Sequence, residues 1–163
     1  MLRKDTYYIT SGRQTPEGWK TFTMILRARW ERRSAGDKSQ HTDTISGVRI
    51  ANMLGLTTQV PMTFEIVSNK ATKDVRKTSL ADVRLIIRRP RTEVTENNYK
   101  VLQFLDLMKD VDEVSELEGE ELQKRIKLYM AESSLTFDMM KPYLRYYPDR
   151  LYKNLYDARV LNG

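Results

Sequence analysis

The sequence predicts an α+β fold: a small mixed or antiparallel sheet with two helices in the first half, followed by a helical second half. Three observations predict it. Strict alternation at 62–68 and 83–88 has the period of strands with one buried face. From Asn97 onward, apolar residues recur at spacings of three and four, the period of amphipathic helices. The charge divides near the same place: residues 1–91 carry 18 Lys+Arg against 8 Asp+Glu, and residues 92–163 carry 10 against 14. The expectation is a single domain over 1–163, with a basic α/β part at about 1–91 and a helical, acidic part at about 92–163.

Each element follows from its residues. Thr6-Tyr-Tyr-Ile-Thr10 is β-branched and aromatic, so it reads as a short strand. Trp19, Phe22, Leu26 and Trp30 have helical spacing, with Arg27, Arg29, Arg32 and Arg33 crowding the end, where cations suit the helix dipole. The polar stretch 34–44 reads as a loop. A second helix runs from about Ser46 to Leu54, with Val48, Ala51 and Leu54 on one face and Ile50 and Met53 beside it. Gly55 takes the left-handed position that stops it, and Pro61 keeps Val60 extended. In the next strand Met62, Phe64 and Ile66 point one way while Thr63 and Glu65 point the other. Val75 to Thr78 forms a short strand, and Val83 to Arg88 forms another that Pro90 ends.

The second half reads as helices. Asn97 or Asn98 can cap the first; Val101, Leu102, Leu105 and Met108 form its stripe, widened by Phe104, while Lys100, Gln103 and Asp106 face water. Residues 110–121 form an acidic run read as a solvated face, with Glu120 and Glu121 suiting a helix start. Leu122, Ile126, Tyr129 and Met130 follow. Then come Phe137, Met140, Tyr143 and Leu144, with Pro142 set to shorten or kink that helix. Pro148-Asp149 starts a last helix with Leu151, Tyr152, Leu155 and Tyr156 on one face. Tyrosine beside Arg145 and Arg150 suits either helix packing or an interface.

Composition excludes several chemistries. The chain of 163 residues has no cysteine, so disulfides, thiolate nucleophiles and thiol-ligated zinc are out. Its single histidine, His41, lies in the polar stretch and makes a Ser-His-Asp triad a poor candidate. No Gly-x-Gly-x-x-Gly or Walker-type loop occurs among the seven scattered glycines. The acidic run lacks the order of a calcium loop. No cofactor is expected. A metal-dependent nuclease would need a Lys two residues after a strand Glu, and Val67 stands there after Glu65. No apolar run approaches the roughly 20 residues of a membrane span, and the start is no signal peptide. A cytoplasmic location is therefore expected.

The segment Ser46-Gly-Val-Arg-Ile-Ala-Asn-Met-Leu-Gly-Leu-Thr-Thr-Gln-Val-Pro-Met62 carries a pattern. Its core, Asn52, Leu54, Gly55, Leu56, Thr57, Thr58, Gln59, Val60 and Pro61, resembles the Asn-x-Leu-Gly-Leu-Ser/Thr-Thr-Gln-Val-Pro core of AbiEi-type antitoxins of bacterial type IV toxin–antitoxin (abortive infection) systems. Phe64 to Asn69, Val83 to Arg91 with its arginine pair, Val101 to Met108 and Tyr7-Tyr8-Ile9 extend the resemblance over roughly 6–156. The resemblance implies a non-catalytic antitoxin domain that antagonises a nucleotidyltransferase toxin of the AbiEii type, directly or functionally. The family's usual N-terminal winged helix is not recognisable before Tyr7, so operator recognition does not carry over. The physical chemistry of the core suits a structural role: Gly55 stops a helix, Pro61 extends the chain, and the residues between them can satisfy backbone groups.

The basic surface expected to meet a partner comprises Arg27, Arg29, Arg32, Arg33, Arg88, Arg89 and Arg91. The same arginines, with Tyr7, Tyr8 and Trp30 to stack on bases, support an alternative: a nucleic-acid-binding accessory or transcriptional regulatory domain. A nuclease is the third reading, and it lacks its residues.

Overall fold

The structure is a computed structural model that describes residues 43–45, 48–59, 63–69, 71–80 and 83–161. The expected strand at 6–10, the helix at 19–30, Arg27, Arg29, Arg32, Arg33, His41, Val60 and Pro61 lie outside the described residues. Within them the chain is α+β, as its pattern predicts. The elements run β1 (Asp43–Ile45), α1 (Val48–Met53), β2 (Thr63–Ser68), β3 (Val75–Leu80), β4 (Val83–Arg88), α2 (Tyr99–Lys109), α3 (Val111–Val114), α4 (Gly119–Glu132), α5 (Phe137–Leu144) and α6 (Arg150–Asp157).

The four described strands form one mixed sheet in the order β1-β2-β4-β3. β1 pairs antiparallel with β2, opposing Thr44 to Val67. β2 pairs parallel with β4, opposing Glu65 to Ile86 and Val67 to Arg88. β3 pairs antiparallel with β4, opposing Lys77 to Ile86. β4 is thus inserted between two strands that precede it, and the connection from β2 to β3 passes its C-terminal end. There the Arg89 N–H donates to the Asp74 carbonyl (3.1 Å), and its guanidinium donates to the Thr72 carbonyl (3.2 Å). The Asn69 amide makes a two-point bond with the Val94 backbone, donating to its carbonyl (2.7 Å) and accepting from its N–H (2.9 Å).

β1 was not legible: it falls at the end of a stretch that reads as loop, and three residues carry no periodicity. The expected one-sided burial of β2 also needs correction. Val67 and Ser68, on opposite faces, are both buried, and Ile66 is half-buried. β2 is flanked by β1 and β4, and its C-terminal end is buried at both Val67 and Ser68. In β4, Ile86 and Ile87 are each half-buried, as suits a strand with neighbours on both edges.

α2 is the centre of the protein. It packs against α1, β1, α3, α5 and α6. Phe104, Leu105, Leu107 and Met108 are fully buried, and Leu107 widens the expected stripe. Asn98 precedes α2 without capping it; its amide turns back, accepting from the Thr95 N–H (2.7 Å) and donating to the Glu93 carbonyl (2.9 Å). Ile50 and Ala51 of α1 join the same core as Ile126 of α4, Met140 of α5 and Leu151 of α6. The basic and acidic parts of the chain therefore share one core.

Three other expectations change. Met53 is exposed, while Ile50 and Ala51 carry the buried face of α1. Val111 and Val114 form a short helix inside the acidic run. On α6 the buried set is Leu151, Asn154, Leu155 and the following Ala158, the i, i+3, i+4, i+7 face. Tyr152 and Tyr156 are exposed, at 42% and 64%. Pro142 does lie inside α5, which ends two residues later at Leu144. Among the described residues no helix is long and apolar enough to cross a membrane.

Candidate functional site

The segment that carries the family resemblance ends α1 and then ties it to the helical layer. The N–H of Leu56 bonds the Ala51 carbonyl (2.8 Å) and that of Gly55 bonds the Asn52 carbonyl (3.0 Å), the pair of bonds that closes a helix C-terminus. Closure requires a left-handed residue at position 55, and Gly55 has φ +68°. A Cβ at this position would meet only the Arg125 guanidinium at 3.7 Å, so the glycine is required by its backbone angle rather than by space.

Asn52 and the two threonines complete the tie. The Asn52 amide donates to the carbonyls of Thr57 (3.1 Å) and Gln59 (3.0 Å), holding the segment in a tight arc. Glu116 lies opposite. Its Oε1 accepts from the Thr57 hydroxyl (2.6 Å) and the Thr58 N–H (3.0 Å), and its Oε2 accepts from the Thr58 hydroxyl (2.9 Å). The Glu116 N–H in turn donates to the Leu56 carbonyl (2.7 Å). The Thr57 hydroxyl, then the Thr58 hydroxyl and N–H, hold the Glu116 carboxyl below the usual carboxylate range. Leu56 is fully buried, Leu54 is half-buried against the core, and Gln59 is exposed. In this geometry Asn52, Gly55, Thr57 and Thr58 bond within the chain.

The acidic run is likewise wired into the fold. Asp110 and Glu113 both pair with Arg150. Asp112 accepts from the amide of buried Asn154 (2.9 Å), which also donates to the carbonyls of Met108 (2.9 Å) and Lys109 (3.3 Å). The expectation of a purely solvated acidic face is corrected for these residues. Among the described residues no group of three or more His, Cys, Asp or Glu is placed to hold a metal ion.

The three described arginines of the expected basic surface have partners within the chain. Arg88 pairs with Glu65 across β2 and β4. Arg89 holds the β2–β3 connection and lies 3.7 Å from Asp74. The Arg91 guanidinium donates to the Tyr146 carbonyl (3.2 Å) and sits 5.2 Å from the centroid of the Tyr147 ring. All three stay exposed enough to meet a second molecule, but none is a spare cation. On the sheet, Lys73, Arg76, Lys77 and Arg84 have no ion pair among the described residues, and all are exposed on or beside β3 and β4. They are hard to see in the sequence because single cations on short strands do not stand out as a cluster. The recurrence of Lys73, Arg76 and Lys77 within five residues is the available signal, and Arg84 has none.

A second polar cluster lies between the sheet and the helices. Asp106, expected to face water, is half-buried on α2. Burial pushes its pKa up to about 6, against the opposing pull of Lys109, the Tyr147 hydroxyl and Arg91, while the charge of Glu65 adds to the rise. Tyr147 is buried; burial, and then the Asp106 charge, push its hydroxyl well above the usual range. The tyrosines therefore divide: Tyr147 belongs to the core, whereas Tyr152 and Tyr156 form an exposed pair one turn apart on α6.

Compared with known proteins, the chain matches no family model, no curated protein and no solved structure.

Proposed function

We propose that this chain is an AbiEi-like antitoxin domain, acting in the cytoplasm without chemistry of its own, that antagonises a nucleotidyltransferase toxin. The observation that carries the reading is the segment Asn52 to Gln59. Its residues resemble the antitoxin core, and in the fold they form the joint between α1 and the helical layer. Each polar type in the pattern does something local. Asn52 spans two carbonyls, Gly55 takes the left-handed turn, and Thr57 and Thr58 bind Glu116. Such a pattern sets a shape that presents surfaces elsewhere, among them the exposed Tyr152–Tyr156 pair and the cations of β3 and β4. Co-expression with the protein encoded beside it provides the test. Rescue of a host that the neighbour alone arrests is the expected result. Continued arrest, with this chain soluble and folded, would remove the reading.

A second reading is favoured by Lys73, Arg76, Lys77 and Arg84, four exposed cations without described carboxylate partners. It is a nucleic-acid-binding accessory domain. Binding would then weaken with salt, with a log–log slope that falls by about 0.9 for each phosphate contact removed. Replacing Arg76, Lys77 and Arg84 with Ala is expected to flatten that slope. Binding that keeps its salt dependence in this variant removes the second reading.

A further inference from the structure

Two segments meet where the sheet joins the helices, and both are fixed in place. The segment from Arg89 to Val94, between β4 and α2, is bonded to the sheet side through the Thr72 carbonyl and the Asn69 amide. It is bonded to the start of α2 through the Glu93 carbonyl, which accepts from the Asn98 amide. The α5–α6 connection is fixed by its backbone. The N–H groups of Tyr146 and Tyr147 donate to the carbonyls of Tyr143 (3.0 Å) and Leu144 (3.0 Å). Tyr147 is buried, and its hydroxyl donates to the Leu102 carbonyl on α2 (3.3 Å). Tyr146 is exposed.

One guanidinium is attached at each end of Tyr146. Arg91 donates to its carbonyl (3.2 Å) and rests 5.2 Å from the centroid of the Tyr147 ring. Arg145 donates to its hydroxyl (2.7 Å) and lies 4.8 Å from the centroid of its ring. Both arginines are exposed. Their partners are a carbonyl, a hydroxyl and two aromatic rings, all neutral groups. Arg88, Arg89 and Arg150, by contrast, each face a carboxylate: Glu65, Asp74, and Asp110 with Glu113. Among the described residues no ion pair reaches Arg91 or Arg145. The Asp106 charge acts on Arg91 from α2, but no ion pair joins the two.

We infer that Arg91 and Arg145 form a receptor for paired phosphate groups, with Tyr146 as the spacer that sets their separation. An arginine held by neutral acceptors keeps its charge and its other N–H donors while its side chain is already ordered, so less freedom is lost when an anion arrives. The planar guanidinium fork matches phosphate oxygens two at a time. The two forks are anchored at opposite ends of one residue, an arrangement for two linked phosphates rather than for one. That chemistry is shared by a nucleoside diphosphate and by successive phosphates of a phosphodiester chain. The inference goes beyond both functional readings and rests on neither, because it concerns a different set of residues from the cations of β3 and β4.

The test uses the whole chain with pyrophosphate as the probe, at constant ionic strength so that general screening does not change. The side-chain Nε–Hε signals of Arg91 and Arg145 and the Tyr146 amide are followed by NMR as pyrophosphate is added. The expected result is a saturating shift of all three with one dissociation constant. Arg91→Gln and Arg145→Gln are each expected to weaken binding by about tenfold or more, since each removes charge-assisted hydrogen bonds. Joint replacement of Lys77 and Arg84 by Ala, on the sheet, is expected to leave the affinity unchanged. A short oligothymidylate that displaces pyrophosphate assigns the site to a phosphodiester chain; ADP that does so alone assigns it to a nucleoside diphosphate. Failure of both shows an adventitious ion only and overturns the proposal, and displacement by oligoglutamate alone gives the site to carboxylates and overturns it equally. Shifts that do not saturate, a loss of affinity in only one of the two arginine variants, or an equal loss in the sheet variant also overturn it. If a variant fails to fold, the signals of the unaltered chain still decide.

Discussion

Glu116 and Asp106 are both carboxylates at joins between the basic and acidic parts of the chain, yet they are held in opposite ways. Glu116 is exposed and surrounded by donors: two threonine hydroxyls and a backbone N–H stabilise its charge. Asp106 is half-buried, and its surroundings penalise the charge despite two cations. The first join tightens when its carboxylate is ionised; the second is strained by ionisation. The same chemical group can therefore fasten a fold with opposite responses to pH, depending on whether donors or desolvation dominate. Both joins rest on α2 and its neighbours, so the comparison is testable only while that helix is intact.

The largest effect sets this condition. Phe104→Ala removes a fully buried ring from the middle of α2, with an expected cost of about 3–5 kcal/mol in chemical denaturation. Both joins should be lost together. A variant that loses only one would show that the two parts do not share a core.

The next effect concerns Asp106 itself. Its folded pKa is raised above the ordinary value, so the unfolded chain releases this proton first as pH rises. Stability from this group is thus greatest below about pH 4, falls as pH rises toward about 6, and is flat above. The loss is at most about 3 kcal/mol, because the side chain keeps some contact with water. Asp106→Asn is expected to flatten that part of the stability–pH curve and to raise stability at pH 7. Unchanged stability at pH 7 would mean that Lys109 and Arg91 already compensate for desolvation.

Asn154→Ala comes third. It leaves two carbonyls at the end of α2, those of Met108 and Lys109, without their donor, and costs about 1–3 kcal/mol. Thermal denaturation checks it. Gly55→Ala is comparable or smaller, at about 1–2 kcal/mol, since the left-handed angle is the only penalty. Its effect should add to that of Asp106→Asn, because the two positions share no partner.

What was legible in the sequence divides by range. Local periodicity gave α1, β2, β4 and most of the later helices, and Gly55 marked a helix end because φ is a local matter. Val111 and Val114 were readable as one helical turn, but the surrounding acids masked them. Asn154 and Tyr156 exchange places between pattern and structure because residue type misleads where position does not. The helix face from Leu151 to Ala158 runs through Asn154, and a buried amide is allowed when it has acceptors. Asp106 reads as solvent-facing because most of the groups that act on it, Tyr147, Arg91 and Glu65, are distant in sequence. The roles of Glu116 and Arg91 are hidden for the same reason. Each looks like surface charge until its partner, 59 or 55 residues away, is in place.

The smallest effect separates the two joins most cleanly. Glu116→Gln keeps an acceptor oxygen but removes the charge that Thr57 and Thr58 stabilise. Its folded pKa is depressed, so its contribution is present above the ordinary glutamate value and is lost as pH falls below it. At neutral pH the variant is expected to be slightly less stable than the unaltered chain, and the two should converge as acid protonates Glu116 in the folded chain. Because Glu116 is exposed, raising salt should shrink the difference at neutral pH, whereas half-buried Asp106 should respond less. Opposite signs for Glu116→Gln and Asp106→Asn between pH 5 and pH 7, measured in one buffer series, would separate donor-held from desolvated carboxylates. Equal signs would show that one environment governs both joins.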